Sequence, residues 1–118
     1  MKTNHQINLD CAALMGFKYG PYMDDVTWKV CIDPTGSKEI EFDPCGDVNQ
    51  LAWLSMQTGI GVDILYPDDY EHPLFCAQKV TASYNKVELC TVDVDIRGVL
   101  VASCLAIIEA DNKINADK

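Results

Sequence analysis

The sequence predicts an α+β fold, with three helices covering one mixed, mostly antiparallel sheet of about five strands in a three-layer α/β/α-type sandwich. Three observations predict it. Two segments with helical apolar periodicity begin at capping residues, several short segments have strand-like patterns, and a late segment is apolar on all sides. With 118 residues the chain suits one domain, residues 1–118, in which 111–118 form a frayed polar tail.

The first helix is predicted from a capping box. Thr3 and Gln6 have the T-x-x-Q spacing in which each side chain accepts a hydrogen bond from the other residue's backbone N–H. An apolar face follows, and Gly16 is suited to end the helix. The members of that face are Ile7, Cys11, Leu14 and Met15.

A hairpin is predicted next. Residues 26–32 alternate apolar and polar side chains, as a strand with one buried face does. The sequence Asp-Pro-Thr-Gly at 33–36 is typical of a type I turn. Residues 39–42 alternate again, so we expect them to form the return strand.

Asp47 is the predicted N-cap of the second helix, and Gln50 is placed to bond back to that cap. Gly59 is expected to end the helix. Its apolar face comprises Val48, Leu51, Ala52 and Ser55.

Three further strands are predicted at residues 61–66, 74–82 and 87–92, with a turn at 83–86. The acidic, proline-bracketed segment 67–73 is expected to be an exposed loop. The last helix is predicted from about residue 95 to about residue 110. Its segment 99–108 is apolar around the whole circumference, which indicates either a central packing position or a subunit interface.

Charge and cysteine content narrow the classes of function. Eighteen acidic residues against nine basic ones give a net charge of -9, which disfavours direct nucleic-acid binding and suits a basic protein partner. The six cysteines include no C-x-x-C pair, and neither histidine is near paired cysteines, so no metal or cofactor is predicted. No secretory signal is recognised, and the apolar run at 99–108 is too short to span a bilayer. We therefore expect reduced thiols in a cytoplasm.

Three segments of the chain resemble the phage ABA-sandwich domain family, small proteins of tailed bacteriophages and prophages. They are the first helix with its Met15-Gly16-Phe17 step, the Phe42-x-Pro44-x-x-Asp47 turn with Ala52-Trp53, and the small-residue helix at 100–110. The chain departs from the family where Cys45-Gly46 replaces the expected Ser-Thr. The resemblance implies a three-layer fold and a viral origin, but the family has no agreed activity.

Arg97 is a candidate for binding an anionic ligand because it is expected in the first turn of the last helix, where backbone N–H groups are exposed. The alternative is that Asp93 and Asp95 neutralise it. Tyr19 and Tyr22 are expected in a loop, and with Lys29 they could hold a nucleobase and its phosphate. Trp28 belongs to the same aromatic-basic group and could contribute to such a site. The alternative is that Trp28 packs in the core, because it shares the apolar face of the strand with Val26 and Val30.

These residues lead to one functional hypothesis and one alternative. The hypothesis is a non-enzymatic phage accessory protein in the host bacterial cytoplasm, a homo-oligomer that sequesters a small nucleotide-type immune signal through Tyr19, Tyr22, Lys29 and Arg97. The alternative is an acidic inhibitor of a host defence complex, similar to an anti-CRISPR protein, that binds through Asp68, Asp69 and Glu71. No catalytic motif is recognised in the sequence, so no catalytic residue is predicted.

Overall fold

Three helices and six short strands make up the part of the chain that the structure describes. This computed structural model describes residues 3–16, 18–19, 29–31, 39–65 and 79–116. The elements in chain order are α1 (Asn4–Leu14), β1 (Lys18–Tyr19), β2 (Lys29–Cys31), β3 (Glu39–Glu41), α2 (Val48–Thr58), β4 (Gly61–Leu65), β5 (Lys79–Tyr84), β6 (Val87–Asp93) and α3 (Val99–Ala116). The predicted α+β class with three helices is confirmed.

The predicted capping box begins α1. The Gln6 N–H donates to Thr3 Oγ1 at 3.2 Å, and the Thr3 N–H donates to Gln6 Oε1 at 3.0 Å. Gly16 follows the helix with a φ of +76°, a left-handed conformation that glycine adopts without steric cost. Both ends of α1 are therefore fixed by local sequence.

The ends of α2 also follow the prediction. Asp47 Oδ1 accepts from the Asn49 N–H at 2.9 Å, and Gly59 ends the helix with a φ of +75°. The cap N–H of Asp47 donates to the Asp43 carbonyl at 2.9 Å rather than to Gln50 as predicted, and Gln50 Oε1 accepts the N–H of Asp43 in the preceding turn.

The described strands form two antiparallel sheets rather than one mixed sheet. β1, β2 and β3 form the first sheet, in which Lys29 is opposite Glu41 and Tyr19 is opposite Val30. This pairing confirms the predicted hairpin, whose turn lies outside the described residues. β4, β5 and β6 form the second sheet. The sequence did not predict β1, and the three-layer sandwich stays a prediction.

The β5–β6 hairpin turns at Asn85 and Lys86, which have φ values of 53° and 68°. Two successive residues with positive φ match the right-handed twist of the strands they join. The turn lies inside the predicted segment 83–86, and a register shift between Ala82 and Ser83 precedes it.

The core forms around α3. This helix contacts β4, β5 and β6 and also α1 and α2, and Val101, Ala102, Ser103 and Cys104 are buried in succession. Among the described elements α3 thus has the predicted central packing position, and a subunit interface on this helix stays a prediction. The largest fully buried apolar side chains of this core include Phe42, Ile7, Leu54, Ile60, Val80 and, from α3 itself, Ile107.

Both ends of α3 differ from the prediction. Gly98 has a φ of +100°, which breaks the helical path, so the helix begins at Val99 rather than near residue 95. At the other end it continues to Ala116. Lys113 Nζ donates to the Leu89 carbonyl at 2.6 Å, and Asn115 Nδ2 donates to Asp111 Oδ2 at 3.0 Å. These contacts hold turns that were expected to fray.

Candidate functional site

Arg97 lies in the turn before α3, and acidic Asp95 partners it. Arg97 Nη2 is 3.1 Å from Asp95 Oδ2, and Nη1 donates to Asn4 Oδ1 at 3.4 Å. The hydrogen bonds from Arg97 hold the pKa of Asp95 below its ordinary value. For Asp93, the other acid considered, Oδ1 lies 4.0 Å from Lys79 Nζ. Arg97 therefore has a structural partner already, and its side chain is only 21% exposed.

The other predicted ligand-binding residues are only partly described. Tyr19 lies in β1, not in a loop as the sequence predicted, and Lys29 lies in the neighbouring strand β2. The structure thus brings the backbones of these two residues into one sheet. Tyr22 lies outside the described residues, and so do Asp68, Asp69 and Glu71, the predicted partner-binding acids.

A pocket of about 480 Å³ opens between α2, β4 and the beginning of α3. We call it the α2–α3 pocket. None of the described residues that line it is charged. They are Val48, Leu51, Ala52, Ser55, Met56, Gly61, Val62, Ile64, Val99, Leu100 and Ser103.

Two serines are the polar side chains in this lining, and they differ in their bonding. The Ser55 hydroxyl donates to the Ile60 carbonyl at 2.6 Å. The Ser103 hydroxyl is buried, with the residue 0% exposed, and has no hydrogen-bond partner among the described residues. Among the described lining residues, the Ser103 hydroxyl is therefore a polar atom without a hydrogen-bond partner, whereas the Ser55 hydroxyl has one.

The rim of the pocket leaves large apolar side chains in solvent. Met56 is 83% exposed, and Val48 and Ile64 are also exposed. The buried side of α2 is formed by Leu51 and Leu54. The apolar face predicted for α2 is therefore only partly covered by the described part of the chain, and its uncovered part is the pocket wall.

Buried thiols form a second cluster next to α3. Cys45, Cys104 and Cys11 are free and buried, and they lie close enough to shift one another's pKa. The Cys45 thiol donates to the Asn4 carbonyl at 3.9 Å. The neighbouring Cys104 thiol and then burial raise the pKa of Cys45, while the neighbouring Cys11 thiol and burial raise the pKa of Cys104. Because the thiolate is the nucleophile, these protonated thiols are suited to packing rather than to covalent chemistry.

Cys90 is a further buried free thiol, and burial raises its pKa. Among the described residues, no group of three or more His, Cys, Asp or Glu side chains is arranged to hold a metal ion. None of the described helices has the length and apolar content needed to traverse a lipid bilayer.

Sequence reasoning missed the pocket because it predicted an apolar face for α2 but not whether a neighbouring element fills the space beside that face. A signal was present: Ala52, Ser55, Gly61 and Ser103 are small residues on three elements. Small side chains at facing positions leave space unless a larger neighbour fills it.

No protein-family model, no curated protein and no solved structure matches this chain.

Proposed function

We propose that this domain is a non-enzymatic binding protein and that the α2–α3 pocket is its ligand site. The observation that carries the proposal is a pocket of about 480 Å³ with an apolar lining and one buried hydroxyl that no described residue engages. Sites for small molecules are mostly apolar concavities of about 300–1,000 Å³ in which a few polar groups orient the ligand.

The physical driving force is burial of apolar surface. Met56, Val48 and Ile64 are exposed at the rim, so a ligand that covers them removes their apolar surface from water. Each square ångström so buried contributes about 25 cal/mol before the cost of association is subtracted. Two helices and a strand supply the walls, and these elements hold a site more rigidly than loops do.

The biological setting remains the one that the sequence predicts. In that setting the domain is a phage accessory protein of three-layer fold that acts against host defence by sequestering a small signal. The lining of the pocket bears on the ligand. None of its described residues is charged, and such a lining suits an uncharged molecule better than a phosphate-bearing nucleotide. The acidic inhibitor that binds a host defence complex remains the alternative.

The test is binding of the uncharged fluorescent dye Nile red to wild-type protein and to Ala52→Phe. Ala52 is exposed on α2 and lines the pocket, so a phenyl ring there fills the site without entering the core. We expect saturable binding to wild type and at least about tenfold weaker binding to the variant, which corresponds to about 1.4 kcal/mol.

Ala13→Phe is the matched control, because Ala13 is exposed on α1 and is not among the described lining residues. This variant is expected to bind the dye as wild type does. The proposal is overturned if wild type does not bind the dye, or if Ala52→Phe and Ala13→Phe bind it equally well.

A further inference from the structure

We infer that the α2–α3 pocket selects an uncharged carbonyl compound, whose oxygen accepts a hydrogen bond from the Ser103 hydroxyl. The inference rests on the proposed function, because it names the class of ligand for the same site. It starts from the one buried polar side-chain atom that has no partner among the described residues, Ser103 Oγ.

A serine inside a helix ordinarily has two ways to satisfy its hydroxyl. It can bond the carbonyl one turn earlier in the helix, or it can point into water. Ser103 does neither within the described structure, because the residue is 0% exposed and its oxygen has no partner there. Ser103 is also among the residues that line the pocket, so we infer that its partner is a molecule bound there, reached by a small movement of the side chains that close the oxygen off from solvent.

The beginning of α3 favours an electron-rich partner for this hydroxyl. Val99 and Leu100, the first two residues of α3, line the same pocket. The N–H groups of a helix's first turn have no partner within the helix and give that end a partial positive charge. A ligand oxygen near this end is therefore favoured as an acceptor, and the Ser103 hydroxyl acts as the donor.

The charge of the protein favours a ligand whose carbonyl belongs to an uncharged group rather than to a carboxylate. The chain carries a net charge of -9, and none of the described lining residues supplies a cation. A carboxylate placed there would lose its hydration without gaining an ionic partner, which is costly. A ketone, ester or amide oxygen loses far less on burial and gains the bond to Ser103.

The rest of the ligand is expected to be apolar. Leu51, Val62 and Leu100 line the pocket as branched aliphatic side chains, and Met56 at the rim has a flexible thioether that adapts to different shapes. The carbonyl thus orients a molecule that is otherwise held by apolar contact.

The test uses two probes of matched shape, 2-acetylnaphthalene and 2-isopropenylnaphthalene. They differ in one atom group, a carbonyl oxygen in the first and a methylene in the second. Each is titrated against wild-type protein with bound Nile red, and displacement of the dye is measured. Because one net hydrogen bond distinguishes the two, we expect the ketone to bind about fivefold more tightly than the alkene.

Ser103→Ala removes the donor, so the two probes are expected to bind this variant about equally. Ser83→Ala is the matched control, since Ser83 lies on β5 and is not among the described lining residues. It is expected to keep the preference for the ketone. The wild-type ratio decides the matter even if a variant does not fold.

Each other outcome is decisive. Equal displacement by ketone and alkene in wild type overturns the inference and leaves the proposed function standing, as does failure of both probes to displace a bound dye. Persistence of the preference in Ser103→Ala overturns the assignment of the donor. Failure of wild type to bind Nile red overturns the inference together with the proposed function.

Discussion

The turn before α2 and the pocket beside α2 differ in whether their buried polar side chains have hydrogen-bond partners among the described residues. In the turn, Asn8 of α1 donates through Nδ2 to Asp43 Oδ1 at 2.8 Å, and its Oδ1 accepts from the Cys45 N–H at 3.2 Å. Gln50 completes this group by accepting from the Asp43 N–H. We call these four residues the Asn8 network. In the pocket, Ser103 has no such partner among the described residues.

The two regions also differ in packing. Around the Asn8 network, Pro44 is fully buried, and the rings of Phe42 and Trp53 meet edge to face with centroids 6.2 Å apart. Around the pocket, Val48 and Met56 of the same helix remain in solvent. A satisfied, close-packed region stabilises the fold, whereas an open wall with an unsatisfied hydroxyl forgoes stability. This contrast is the one we expect if the turn has a structural role and the pocket has the binding role proposed for it.

The largest expected effect is that of Asn8→Ala. The substitution leaves Asp43 Oδ1 and the buried Cys45 N–H without their partner, so we expect unfolding free energy to fall by about 2–3 kcal/mol. Urea denaturation measures it by linear extrapolation. Asn112→Ala, at an exposed position of α3, is the control and should change stability by less than about 0.5 kcal/mol. Similar values for the two variants would contradict a structural role for the network.

Gly46→Ala is expected to have the next largest effect. A Cβ at this position would lie 2.5 Å from Asp43 Oδ2, and the Asp43 carboxylate cannot move freely because Asn8 holds it. We expect a loss of about 1–2 kcal/mol in thermal or urea unfolding. At Gly61 a Cβ would meet only Ser83 Oγ, at 3.7 Å, so Gly61→Ala should be close to neutral. A neutral Gly46→Ala would show that the turn adapts more easily than its contacts imply.

Ser103→Ala should have the smallest effect and sharpens the comparison most. Removing an unsatisfied buried hydroxyl is expected to leave stability unchanged or to raise it by up to about 1 kcal/mol. Ser55→Ala instead removes a hydroxyl bonded to the Ile60 carbonyl and should cost about 1 kcal/mol. Both values come from urea denaturation without ligand. If Ser103→Ala were as costly as Ser55→Ala, the hydroxyl would have a partner, and its assignment as a ligand donor would lose its basis.

Short-range chemistry made much of the fold predictable. Thr3 with Gln6 and Asp47 with Gly59 fix helix ends through contacts within a few residues, which sequence spacing specifies directly. The beginning of α3 was misplaced because two local signals compete. Asp95 has the character of a cap, but its side chain accepts from the Arg97 N–H at 2.9 Å to form a separate turn, and Gly98 delays the helix.

The site was not predictable in the same way because its properties depend on distant residues. Whether the Ser103 hydroxyl finds a hydrogen-bond partner depends on which groups from other elements surround it. The apolar residues of α2 specify that a face exists, but only the spacing between α2, β4 and α3 determines whether that face is filled.

The central position of α3 has a consequence for synthesis on the ribosome. The helix that contacts α1, α2 and the second sheet is the last described element to emerge. Until residues 99–116 leave the exit tunnel, Ile7, Leu54 and Val80 lack the surface that buries them in the finished core. The nascent chain therefore presents these apolar side chains until α3 has emerged, and we expect the core to close only then rather than progressively from the first helix.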